Sequence, residues 1–132
     1  MGSNLPPDLE TIIKKMRCIS IGSDFDEETL NHDLSLAETY IDRHPTTSHS
    51  ILGMIATILG DEEKMRFHFD AARASSTLNY PIRINHIMAL QGFACFSESV
   101  IEAREASRDY QKNPDIFFVL LFPKNQAVEF FL

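Results

Sequence analysis

Apolar positions recur along this chain at the three- and four-residue spacing of one helix face, and strand-like alternation is nearly absent. Leu9, Ile12, Ile13, Met16 and Ile19 form a first stripe, with Asp8 placed to cap it and Gly22 to end it. Asp24 with Glu27 reads as a capping box for a second helix. Leu30, Leu34, Ala37 and Ile41 line its inner face, and Pro45 closes it. A third helix is predicted over 47–59, with Ile51, Leu52, Ile55, Ile58 and Leu59 on its apolar side. Gly60 breaks it, and Asp61 caps a fourth helix that carries Met65, Phe69 and Ala72 and fades into Ser75-Ser76-Thr77. Pro81 suits the first turn of a fifth, where its missing N–H would have no partner; Ile84, Ile87, Met88 and Gln91 come next at helical spacing. Ser97 is expected to cap a sixth helix with Val100, Ala103, Ala106 and Tyr110. Asn113-Pro114 separates it from a seventh over 115–122, which Pro123 stops.

The pattern repeats. Ala37, Ala72 and Ala106 are spaced by 35 and 34 residues, and Pro45, Pro81 and Pro114 by 36 and 33. The same shift lays Leu30 on Met65 and Leu34 on Phe69. A period in this range marks helical hairpins stacked side by side. One hairpin cannot bury both of its apolar stripes alone, so units stack and each touches only its neighbours. Short connections make adjacent helices antiparallel. The expectation is one all-α domain over 1–132, with units at 9–45, 46–80 and 81–113, a C-terminal helix at 114–122 and a single shared core.

The middle unit resembles the tetratricopeptide repeat. Its Leu52-Gly53 matches the Leu-Gly pair of the first helix, and Gly60-Asp61 matches the Gly-Asp turn that starts the second. Phe69 and Ala72 match the aromatic and alanine positions of the second helix, while Met65 stands where the family prefers Ala and Ala56 where a Tyr is common. The flanking units depart further: Cys18 and Ile87 take the first-helix glycine position, and Ala94 takes that of the turn glycine. The resemblance implies a short right-handed solenoid of about seven helices. It also implies a peptide groove along the first helix of each pair, formed here by Thr47, Ser50, Met54, Thr57 and Ile58, then Ile84, Met88 and Gln91. The Lys, Arg and Asn clamp that grips a C-terminal carboxylate in some members is missing, so an apolar helix or extended segment is the expected ligand. Met54 and Met88 read equally well as core.

Composition narrows the function classes. The 132 residues carry a formal charge of −7, which argues against nucleic acid, since phosphate binding needs clustered Lys and Arg. There is no apolar run of about 18 residues, so no membrane span is expected. The first residues lack the pattern of a secretory signal, and Pro6 breaks the myristoylation pattern. Cys18 and Cys95 show no metal or redox spacing and read as buried free thiols; together with the lack of Asn-x-Ser/Thr sites this gives a cytoplasmic expectation. His32, His44, His49, His68 and His86 make no ligand pattern and are expected to be scattered, so no metal or other cofactor is predicted. The acidic clusters at 24–28 and 61–63 sit at helix starts, where negative charge is stabilised. With no Gly-rich phosphate loop and no spacing that pairs a nucleophile with a base, catalysis is not expected.

The C-terminal stretch is apolar around its whole helix, at Phe117, Phe118, Leu121 and Phe122. It reads as a segment that folds back to seal the stack, as a docking surface for a partner or a second copy, or as the cut edge of a fourth unit. The leading functional expectation is a protein-binding adaptor. Small acidic tetratricopeptide-like proteins with apolar grooves resemble bacterial escort chaperones for secretion-system subunits. Alternatives are an immunity or antitoxin-like inhibitor of a partner enzyme, and a self-associating module that dimerises through the C-terminal helix.

Overall fold

The computed structural model describes residues 5–17, 25–75 and 80–109, and among these every regular element is a helix. The helices are α1 (Pro7–Arg17), α2 (Glu27–Glu38), α3 (Pro45–Leu59), α4 (Glu62–Ser75), α5 (Tyr80–Gly92) and α6 (Phe96–Asp109). Cys18, Gly22, Asp24, Tyr110, Pro114 and the expected seventh helix, including Phe117, Phe118, Leu121 and Phe122, lie outside the described residues.

Helix starts differ from the expected ones in instructive ways. Asp8 lies inside the first turn of α1 and accepts a hydrogen bond from the Tyr40 hydroxyl at 3.3 Å, tying α1 to the turn after α2. The cap of α2 is Asp26, not Asp24: its carboxylate accepts from the Glu28 N–H at 3.2 Å and from the Thr29 hydroxyl at 2.6 Å. The Thr29 hydroxyl is the main reason its carboxyl is held below the ordinary range. Pro45 opens α3 instead of closing α2, because at the first helical position its absent N–H costs no hydrogen bond. α2 itself stops at Glu38, and Ile41 packs on the core from the turn beyond it. α6 begins one residue before Ser97, with the Cys95 carbonyl accepting from the Ser99 N–H at 3.0 Å. Asp61 does cap α4, accepting from the Lys64 N–H at 3.1 Å.

Close backbone contacts join each helix only to its hairpin mate and to the adjacent hairpin. α1 meets α2, α3 meets α4, and α5 meets α6; α3 also meets α1, α2 and α5, and α4 meets α5. The turns after α3 and α5 close alike. Gly60 has φ 80° and lets Asp61 donate to the Ala56 carbonyl at 2.8 Å; Ala94 has φ 60° and lets Cys95 donate to the Leu90 carbonyl at 2.8 Å. Both are the six-to-one bond that ties off the last carbonyls of a helix.

Ala37, Ala72 and Ala106 are all fully buried, each on the second helix of its pair. Gly53 shows why α3 and α4 lie so close: a Cβ built there would sit 2.7 Å from the Phe69 ring. Among the described residues the buried apolar side chains fall into two clusters. The larger takes residues from α1 through α5, and the smaller joins Ile84, Ile87 and Met88 of α5 to Ala103 and Ala106 of α6. α5 belongs to both and is buried from Ile82 to Leu90 around its circumference. Among the described residues no helix is long and apolar enough to cross a membrane.

Candidate functional site

The residues expected to line a groove lie on α3 and α5. Ser50, Met54, Thr57, Ile84 and Met88 are buried, and only Thr47, Ile58 and Gln91 reach the surface, each in part. Met54 belongs to the larger cluster, and Ile84 and Met88 to the smaller. The Thr57 hydroxyl is spent on its own helix, donating to the Gly53 carbonyl at 2.8 Å. α3 packs against α1, α2, α4 and α5.

A cleft of about 290 Å³ lies instead where α4, α5 and α6 meet. α4 contributes Arg66, Asp70 and Arg73; these are spaced by four and three residues and therefore share one face. α6 faces them with Glu98, Ile101 and Glu102, and α5 supplies His86 and Leu90, one helical turn apart.

Two ion pairs cross from α4 to α6. Arg66 forks onto Glu98, each of two guanidinium nitrogens donating to one carboxylate oxygen at 2.7 Å, and also donates to Glu62 at 3.0 Å. A further contact is its 3.4 Å approach to the Cys95 sulfur, a thiol that is free and partly buried. Arg73 donates to Glu102 at 2.6 Å. The fork holds the Glu98 carboxyl below its ordinary range, and Glu98 with Glu62 raises the already high value of Arg66. Asp70, on the same face of α4, makes no ion pair among the described residues.

His86 is buried within the cleft lining. Its ring stacks on Phe69 with centroids 5.2 Å apart and planes 17° from parallel, and its Nδ1 has no hydrogen-bond partner among the described residues. Burial is the leading cause that pushes its value down, so the ring stays neutral near pH 7. Ile101, by contrast, is 55% exposed. The cleft thus offers locked charges of both signs, a carboxylate outside the ion pairs and an exposed aliphatic side chain.

No protein-family model, curated protein or solved structure matches this chain. None of the cleft residues is one of those expected to line the groove: six lie on the second helices α4 and α6, and His86 and Leu90 on the first helix α5. A sequence signal for it exists: basic residues seven apart on α4 and acidic residues four apart on α6, one helical hairpin later. Two histidines expected to be scattered, His49 and His68, also meet in space. Among the described residues no three His, Cys, Asp or Glu side chains gather as a metal-ligand group.

Proposed function

We propose that this protein is a binding module of the tetratricopeptide-like kind that holds a segment of another protein, and that the segment docks in the cleft between α4 and α6. The observation that supports this reading is the nearest-neighbour packing of the hairpins, with turns closing alike 34 residues apart at Gly60 and Ala94. Such arrays present a surface built from successive units rather than one enclosed reaction chamber. Within the cleft, Ile101 supplies an apolar contact and Asp70 a negative charge outside the ion pairs. A fitting segment carries an aliphatic or aromatic side chain next to Lys or Arg. The ion pairs on either side are formed before the partner arrives, so little side-chain ordering remains for binding to impose.

Selection from a random peptide library, followed by calorimetric titration, tests the reading. The expected outcome is enrichment of an apolar-basic motif whose affinity falls at least tenfold with Ile101→Asp and with Asp70→Lys, while Glu63→Lys on the exposed start of α4 leaves it unchanged. Enrichment of nothing, or of peptides indifferent to both cleft substitutions, would contradict it.

A further inference from the structure

His49 of α3 and His68 of α4 place their Nδ1 atoms 3.1 Å apart. The rings face each other with centroids 5.3 Å apart, and the exposed Phe67 ring stands edge-on to both. Among the described residues no carboxylate is bonded to either ring, so in this arrangement one Nδ1–H donates to the lone pair of the other. That places two imidazole nitrogens, from two different helices, within 3.1 Å of each other.

We infer that this pair is a binding site for a late first-row divalent ion, Cu²⁺ foremost and Zn²⁺ or Ni²⁺ less tightly, that bridges α3 and α4. The geometry carries the inference. With metal–nitrogen bonds of about 2.0–2.1 Å, nitrogens at this separation subtend roughly 100° at the ion. That lies between the right angle of square-planar or octahedral sites and the tetrahedral angle, so the separation suits either coordination once both rings turn their Nδ1 lone pairs from each other toward one point. Binding needs no net proton release: the hydrogen on one Nδ1 moves through solvent to the Nε2 of the same ring, and both rings ligate as neutral imidazoles. No third His, Cys, Asp or Glu joins them among the described residues, so water completes the coordination. A site of two imidazoles plus water obeys the usual order of divalent affinities, with copper at the top.

The test is titration of the full chain with CuCl₂ and ZnCl₂, read by calorimetry, thermal melting and electron paramagnetic resonance of the copper form. One equivalent of Cu²⁺ is expected to bind, with hyperfine structure from two nitrogens and a melting temperature raised by about 5 °C or more at saturation. His49→Gln and His68→Gln, each checked for an unchanged helical circular dichroism spectrum, should each weaken binding at least tenfold and remove the two-nitrogen signal. His32→Gln, at an exposed position of α2, should change neither. If a substituted chain does not fold, NMR of the native chain serves instead: Zn²⁺ should shift the ring protons of His49 and His68 first. Failure to bind, or binding that survives both substitutions, overturns the site. Neither result bears on the peptide cleft, which shares no residue with it.

Discussion

Ala94 holds the left-handed backbone position that Gly60 holds one hairpin earlier, with φ of 60° against 80°. An alanine there carries a steric cost of roughly 1–2 kcal/mol that glycine escapes. The six-to-one hydrogen bond at each turn is the same length, so the hairpin closure compels this backbone whatever the residue. Ala94→Gly should therefore stabilise the protein by up to about 1 kcal/mol, the relief of strain exceeding glycine's extra unfolded-state freedom. Gly60→Ala should destabilise it by about 1 kcal/mol through the backbone alone, since nothing lies within 4 Å of the added Cβ. Urea melts of the two variants check both signs, and equal signs would refute the shared turn.

Gly53 and Phe69 set the spacing of the central hairpin. The Phe69 ring is confined between the α3 backbone at Gly53 and the stacked ring of His86. Gly53→Ala gains up to about 1 kcal/mol of helix propensity, but the overpacking costs about 1–3 kcal/mol. Net destabilisation is expected, with Phe69→Leu in the same chain recovering part of it. A Gly53→Ala variant more stable than the parent in thermal melting would show that the ring is free to move.

Lys15 and Asp33 link α1 to α2 at 3.3 Å, with Asp33 only 2% exposed and its second oxygen without a partner among the described residues. Removing the lysine leaves a buried carboxylate without the ammonium that faces it. Lys15→Met should cost about 1–3 kcal/mol, whereas Lys15→Met with Asp33→Leu should be close to neutral. A double-mutant cycle in denaturant measures the difference, and additive effects would mean that the pair is not coupled.

In the metal-free protein, acid should act through His68, which is held down to about 4, first by burial, then by His49 and Lys64. The unfolded chain takes up this proton near pH 6.5, before the folded one does. Stability is therefore unaffected above that value, falls as the pH drops from 6.5 toward 4, and loses nothing further from this group below. His49, lowered by burial, adds in the same direction. The denaturation midpoint measured across this window should fall less steeply in His68→Gln, and an unchanged slope would remove His68 as the cause.

Much of the helical frame is legible in the sequence because it rests on local chemistry and period. Gly60-Asp61 specifies a turn by backbone conformation and capping, and Ala37, Ala72 and Ala106 announce close helix contacts by their spacing. Asp24 and Pro45 mislead because each fits two neighbouring roles: nearby acids compete for one cap, and a proline between helices ends one or opens the next. Spacing tells which face of α3 or α5 is apolar, not how many helices cover it, so the burial of Ser50, Met54, Thr57, Ile84 and Met88 does not follow from the pattern alone. Met54 looks the same in sequence whether it meets a ligand or the core. The Arg66–Glu98 fork and the His49–His68 pair need three-dimensional register, since their partners lie 32 and 19 residues apart on different helices.

Amide hydrogen exchange of the free chain and of its complex with a selected peptide addresses the binding reading most directly. Slowed exchange confined to α4, α5 and α6 around Asp70, His86 and Ile101 is the expected result. Slowing centred on α1 and α2, or no change anywhere with the peptide bound, would place the partner elsewhere and contradict the cleft.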